Sequence, residues 1–258
     1  MLVIELIELT KHFGGIKAVD EVFLRLPKSN ERIIGLIGPN GAGKTTLINL
    51  ITGYLSPDKG KIIFDGHSIE HEPPEKRVIR GLVRTFQLVS VFNTLKVNEN
   101  LALAVYRYRK LYDKTFNSNM FMKYPLSNRD IADEVYDIIE LFKLSNVKSK
   151  RVSELPYGYK RILEIAMAYA LKPKFLFLDE PFAGLSDPEI KKILEIIIDI
   201  VKENKIQYLF IVDHKVSWLQ ELVQRLIVMF EGRIIADGDT EEVIKDKKVI
   251  EVYWGREA

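Results

Sequence analysis

The spacing of apolar and polar positions changes character several times along this chain. Residues 3–8 (VIELIE) and 31–38 (ERIIGLIG) predict strands, the second of them buried. KTTLINLITGYL, starting at Lys44, predicts a helix, and GKIIFDG (60–66) a strand closed by an Asp-Gly turn. Residues 98–105 are apolar and helix-like, and RDIADEVYDIIELFKL (129–144) carries apolar residues at helical spacing. A further helix is expected at about 157–171. KFLFLDEP (174–181) predicts a buried strand ending in two carboxylates. For 186–204 a helix is predicted, with Ser186 and Glu189 forming a capping box and Pro188 in the first turn. Residues 206–214 predict a strand, and 226–238 a hairpin turning at Glu231-Gly232. The end, 239–258, reads as a charged helical tail. No repeat or low-complexity tract interrupts this α/β pattern.

Composition narrows the class. A hydrophobic share of 47% over 258 residues is enough for one large domain or two packed lobes. Lys plus Arg is 38 against 36 Asp plus Glu, so the net charge of +2 gives no argument for a nucleic-acid partner. The absence of cysteine excludes a disulfide scaffold and a thiolate metal site, and fits the cytosol. MLVIELIELTKHF lacks a basic leader and carries Glu5 and Glu8, so it reads as a strand and not a signal peptide. No apolar run approaches the roughly 18 residues that span a bilayer. A soluble protein is expected, able to dock on a membrane protein. Residues 106–130 hold six aromatics, six basic residues and two acidic ones. That segment allows three readings: a solvated, partly helical insertion, a nucleic-acid patch, or a docking surface for another protein.

GPNGAGKT (38–45) matches G-x-x-x-x-G-K-[ST] without a mismatch, between a predicted strand and a predicted helix. Gly38, Gly41 and Gly43 are read as giving positive φ, so that backbone N–H groups curl around phosphate oxygens. The whole loop, Gly38, Pro39, Asn40, Gly41, Ala42, Gly43, Lys44 and Thr45 with Thr46 behind it, is the expected nucleotide cradle. Lys44 is expected at the β- and γ-phosphates, and Thr45 on Mg²⁺. Asp179 ends an apolar strand and suits the Mg²⁺-binding role, while the adjacent Glu180 suits proton acceptance from an attacking water. A GTPase is disfavoured by the lack of N-K-x-D, and a protein kinase by the lack of D-F-G and H-R-D.

With these motifs in order, the chain resembles the ATP-binding-cassette (ABC) ATPases over nearly its whole length. RTFQ places Gln87 at the family's Q-loop glutamine, which the resemblance gives a γ-phosphate and Mg²⁺ role and a link to a transmembrane partner. LDEP (178–181) corresponds to Walker B with Glu180 as catalytic glutamate, AGLSDPE (183–189) to the D-loop, and VDH to the switch histidine, His214. Phe13 in KHFGG falls at the aromatic position that stacks on adenine. KHFGGIKAVDEV, GLVRTFQ, the insertion and the terminal VYWG are similar to ATPase subunits of branched-chain amino-acid uptake systems. Where the family signature reads L-S-G-G-Q, this chain has Leu155, Pro156, Tyr157, Gly158 and Tyr159. Leu155 and Gly158 remain as nucleotide-contacting candidates, while Pro156 brings neither hydroxyl nor N–H.

The resemblance implies a P-loop NTPase fold: a RecA-like core with an antiparallel β region, plus a helical subdomain. The core lobe is expected at 1–87 and 171–240, the helical lobe at 88–170 and a tail at 241–258. It implies MgATP hydrolysis in a homo- or heterodimer on multi-span permease subunits, with a substrate-binding protein in the complex. Location would be cytoplasmic, on the inner face of the cell membrane. The degenerate signature is expected to weaken the half-site that holds the partner's ATP. The alternative is a soluble ABC ATPase acting on nucleic acid, ribosomes or cluster assembly.

Overall fold

A computed structural model describes residues 3–113, 116, 125–203 and 206–254, the last by its backbone alone. Part of the 106–130 insertion, the end of the predicted 186–204 helix and the last residues of the tail lie outside the described residues. The chain divides into two compact units. Unit 1 comprises Met1–Leu82, Phe177–Pro181 and Tyr208–Ala258, and unit 2 comprises Val83–Leu176 and Phe182–Gln207. The lobes read from the sequence broke at 87/88 and 170/171. The chain passes between the two units at four points: within β6 (Leu82–Arg84), within β7 (Phe175–Asp179), after Pro181 and after Gln207.

Unit 1 opens with β1 (Ile4–Phe13) and β2 (Ile16–Leu26), an antiparallel hairpin. In β2, Val22, Leu24 and Leu26 are buried while Glu21, Phe23 and Arg25 face solvent, the period of a half-covered strand. This strand was not predicted individually; only an antiparallel N-terminal region was. β4 (Lys59–Phe64) pairs with β1, and β5 (His67–Ser68) with β4, giving the sheet order β2-β1-β4-β5. The predicted Asp-Gly turn joins them. Asp65 and Gly66 have φ of 51° and 78°, the two positive values of a tight hairpin turn.

The second sheet has the order β10-β9-β3-β8-β7-β6. β3 (Ile33–Ile37), buried at every position, runs parallel to β8 (Tyr208–Val212) and β9 (Arg225–Phe230). Such all-apolar runs are what a strand covered on both faces requires. β9 turns at Glu231-Gly232, both with positive φ, into β10 (Arg233–Asp239), as the sequence indicated. Helix α1 (Lys44–Thr52) follows β3, and α2 (Pro74–Arg80) supplies Arg77, buried to 1% exposure. The Arg77 guanidinium donates to Leu50 O, to Ile51 O at 2.8 Å and to Glu70 O at 3.1 Å. It thereby satisfies carbonyls that the end of α1 leaves without helical partners. Short helices α7 (Val216–Leu219), α8 (Thr240–Ile244) and α9 (Lys247–Trp254) complete the unit.

Under β2 and β9, Arg225 bonds Glu31 at 2.8 Å and Asp237 at 2.6 Å. Burial alone would raise the Glu31 pKa, but bonds from Ser29, the Lys28 amide and Arg225 outweigh it and hold the carboxyl at about 2. A carboxylate depressed from its ordinary 4.5 contributes stability above that value and loses it as pH falls through the folded value. Unfolding free energy in denaturant is expected to drop by about 3 kcal/mol from this group between roughly pH 5 and pH 2. Glu31→Gln should remove that part of the acid slope; an unchanged slope would show that Glu31 does not supply it.

Unit 2 is mainly helical. It contains α3 (Val97–Tyr112), α4 (Arg129–Leu141), α5 (Tyr157–Ala170) and α6 (Asp187–Lys202). The capping box predicted for α6 is present: Glu189 accepts from the Ser186 amide at 2.9 Å and from its hydroxyl at 2.6 Å. Isoleucines 190, 193, 196, 197 and 200 form its buried stripe.

Candidate active site

The phosphate-loop sequence leaves β3 and enters α1, the context its motif requires. Gly43 sits at the N-cap of α1 with φ 101°, and Gly41 has φ 81°. A Cβ on Gly43 would strike the Ala18 carbonyl oxygen and come within 2.9 Å of Met229 Cε. Gly38 corrects the sequence reading, because its φ is not positive. Its need for glycine is steric: a Cβ there would collide with the Met229 carbonyl oxygen on β9. The loop closes on itself through Ala42 N to Pro39 O at 3.1 Å and is tied to the β9–β10 turn through Gly232 N to Ala42 O at 3.0 Å. The N–H groups of the first turn of α1 thus open a positively polarised end toward the loop.

Lys44 folds its ammonium back over the loop, donating to Gly38 O at 2.6 Å and Pro39 O at 3.0 Å. Burial lowers its pKa, and the charges of Glu180, Asp179 and Asp213 oppose that shift. Three carboxylates therefore act on one buried cation. Asp179, the last residue of β7, is fully buried. Glu180 follows with φ 48°, a left-handed conformation uncommon for a residue with a side chain. Its amide donates to Val212 O at 2.7 Å, which ties the strained turn to the end of β8. Asp213 directly follows the last residue of β8, accepts from the Lys215 amide at 3.0 Å, and lies 3.7 Å from His214 Nδ1. His214 is itself half-exposed. Asp213 was not singled out from the sequence, although a carboxylate ending a buried strand was the signal that found Asp179.

Thr45 and Asn40 are exposed, Pro39 and Thr46 half-buried, and Ala42 buried. Phe13 stands at the β1–β2 turn opposite Ile16, 48% exposed, with the Lys11 ammonium 5.9 Å from its ring centroid. Burial pushes the Tyr253 hydroxyl of α9 up in pKa. Among the described residues, no cluster of three or more metal-ligating side chains occurs. A hard cation bound by one or two protein oxygens together with phosphates does not require one. The exposed Thr45 hydroxyl and the Asp179 carboxylate, both in unit 1, are oxygen donors of that kind.

In unit 2, Gln87 is exposed just beyond β6. Leu155 is buried, with its amide on Val152 O at 3.1 Å, so its side chain packs inside the unit. Pro156 occupies the N-cap of α5 without a side-chain cap. A Cβ on Gly158 would collide with Glu189 Oε1. Tyr159 accepts from Asn146 Nδ2 at 3.1 Å, and the Lys192 ammonium lies 4.3 Å from its ring centroid.

The ABC transporter family profile matches residues 24–183, from β2 through the phosphate loop and signature to the segment after Walker B. The chain belongs to the ABC transporter ATPase family. A probable branched-chain amino acid transport ATP-binding protein of Methanocaldococcus jannaschii is 34% identical over 251 residues, covering 96% of this chain and 95% of that protein. The lipopolysaccharide export ATP-binding protein of Haemophilus influenzae is 39% identical over 249 residues, with 96% and 95% coverage. The high-affinity branched-chain amino acid transport ATP-binding protein BraF of Pseudomonas aeruginosa is 32% identical, with 98% of each chain covered. Among solved structures, an ADP-conformation ABC cassette superimposes with a TM-score of 0.82 at 30% identity, covering 99% of this chain and 100% of that one. This ABC chain is an ATP-binding subunit of a transporter, with the P-loop NTPase fold. Among its described residues, no helix is long and apolar enough to cross a membrane.

Proposed function

We propose that this ABC subunit hydrolyses MgATP to drive uptake of branched-chain or other amino acids through a permease. The observation that carries the catalytic part is the phosphate loop between β3 and α1, with the buried Lys44 ammonium folded onto the Gly38 and Pro39 carbonyls. An incoming polyphosphate supplies the anionic oxygens for which Lys44 would exchange the Gly38 and Pro39 carbonyls. Thr45 and Asp179 would hold Mg²⁺, which neutralises charge on the β- and γ-phosphate oxygens. Glu180 orients a water and takes its proton as the water oxygen bonds to the γ-phosphorus and the bond to the ADP oxygen breaks. His214 and Gln87 donate to the γ-phosphate, and Phe13 offers its exposed ring to adenine. Rate acceleration comes from electrostatic preorganisation: the Lys44 ammonium and the loop N–H donors at the start of α1 are in place before the substrate arrives.

Pro156 supplies no hydroxyl to an ATP held by a second cassette, so in a heterodimer whose partner has a complete signature that half-site is the weaker of the two. In unit 2 an apolar groove of about 470 Å³, lined by Phe86, Phe92, Leu103 and Met167 among others, is the surface suited to a permease helix. This subunit would then sit at the cytoplasmic face of the membrane.

Support for amino-acid cargo comes from the relatives of M. jannaschii and P. aeruginosa. The 39% identity to the lipopolysaccharide-export subunit favours lipid export as the second reading. Purifying the tagged chain with its membrane partners and reconstituting the complex in vesicles separates them. ATP-dependent accumulation of labelled leucine is the expected result. Extraction of a lipid without leucine uptake, or recovery of no multi-span protein, overturns the proposal.

A further inference from the structure

Arg161 and Glu164 form a buried ion pair in unit 2, 2.9 Å apart, and most of their hydrogen bonds go to backbone rather than to each other. Arg161 Nη1 donates to Phe86 O at 2.8 Å and Nη2 to Gln87 O at 2.7 Å. Glu164 Oε1 accepts from the amides of Phe86 at 3.2 Å and Ser90 at 3.1 Å. One turn of α5 thus holds four backbone groups between residues 86 and 90. The same Arg161 Nη2 donates to the Tyr157 hydroxyl at 3.0 Å, and the guanidinium carbon lies 5.7 Å from the Tyr157 ring centroid. Tyr157 is the residue that stands where the family signature has its first glycine, so this last contact needs the departure seen in this chain.

A buried ion pair is a poor source of stability, since desolvating both charges offsets most of their attraction. Its more effective use is to fix geometry, and here the two Nη groups of the guanidinium reach the Phe86 and Gln87 carbonyls, Glu164 and Tyr157, while Nε is buried without a partner. We propose that Arg161 is a positioning residue coupling the Gln87 loop to the signature, with Tyr157 as the signature end of the link. A shift of the Gln87 carbonyl is carried by one rigid planar group to the Tyr157 hydroxyl, one residue from Gly158. The substitution at 157 is therefore a working contact. This rests on the proposed role of Gln87 at the γ-phosphate.

The test uses the full chain carrying Tyr157→Phe, which keeps the ring and removes the hydroxyl at a partly exposed position. Amide hydrogen exchange at Phe86 and Ser90, measured without nucleotide, should quicken severalfold. In the assembled complex, kcat for ATP should fall about tenfold with KM for ATP unchanged. Arg161→Lys keeps the charge beside Glu164 but cannot span both carbonyls and Tyr157, and should reproduce both effects. Unchanged exchange at 86–90 overturns the link even if kcat falls, because Tyr157 would then be touching nucleotide only. Unchanged kcat with faster exchange overturns the coupling and leaves packing. The exchange measurement needs no ATP, so it stands or falls separately from the catalytic reading.

Discussion

Glu180→Gln should lower the ATP turnover of the assembled complex by about 10²- to 10³-fold while leaving nucleotide bound. Removing a positioned general base costs of this order. The substitution is close to isosteric, and it keeps the amide bond to Val212 O that ties the left-handed backbone at this position to the end of β8. Glutamine therefore keeps the turn and its reach but not its charge. Lys44 loses one of the three carboxylates acting on it, and retains Asp179 and Asp213. Single-turnover hydrolysis of labelled ATP, with nucleotide retention measured in parallel, gives the answer. Hydrolysis within threefold of wild type would remove Glu180 from the chemistry.

Lys44→Met should reduce kcat/KM for ATP by at least about 10²-fold, which corresponds to roughly 3 kcal/mol of lost stabilisation of the phosphate charge. Methionine fills much the same volume and cannot donate. It leaves the Gly38 and Pro39 carbonyls without their ammonium, and it leaves Asp179, Glu180 and Asp213 without the cation they share. A denaturation curve on the same protein separates loss of the fold from loss of the clamp. Binding of a fluorescent ATP analogue and steady-state turnover should fall together while the folded fraction stays high. Affinity and rate close to wild type would show that the phosphates are held by the backbone amides alone.

How much was legible follows from where each signal is stored. The glycine spacing of the phosphate loop, the apolar run into Asp179-Glu180, the Asp65-Gly66 and Glu231-Gly232 turns and the Ser186–Glu189 cap are local. Each is decided within a few residues by backbone freedom, burial or a single hydrogen bond, and the sequence carries each openly. β2 was legible in principle, since Val22, Leu24 and Leu26 alternate with polar or exposed positions, but the alternation is broken upstream by bulges in its pairing with β1. Gly38 shows the other limit. Its glycine is required by a carbonyl on Met229, nearly two hundred residues away, and no local pattern distinguishes that from a need for positive φ.

The sequence by itself determined the α/β class, the phosphate loop, the two strand-end carboxylates and membership of the ABC family, because those rest on short-range geometry repeated at fixed spacing. Only the tertiary structure decided that Asp213 joins Asp179 and Glu180 in acting on Lys44. It also decided that one buried arginine holds Gln87 and Tyr157 together. Those are contacts between residues far apart in the chain. They exist only once parallel strands bring their ends to one edge and a helix is buried against a loop.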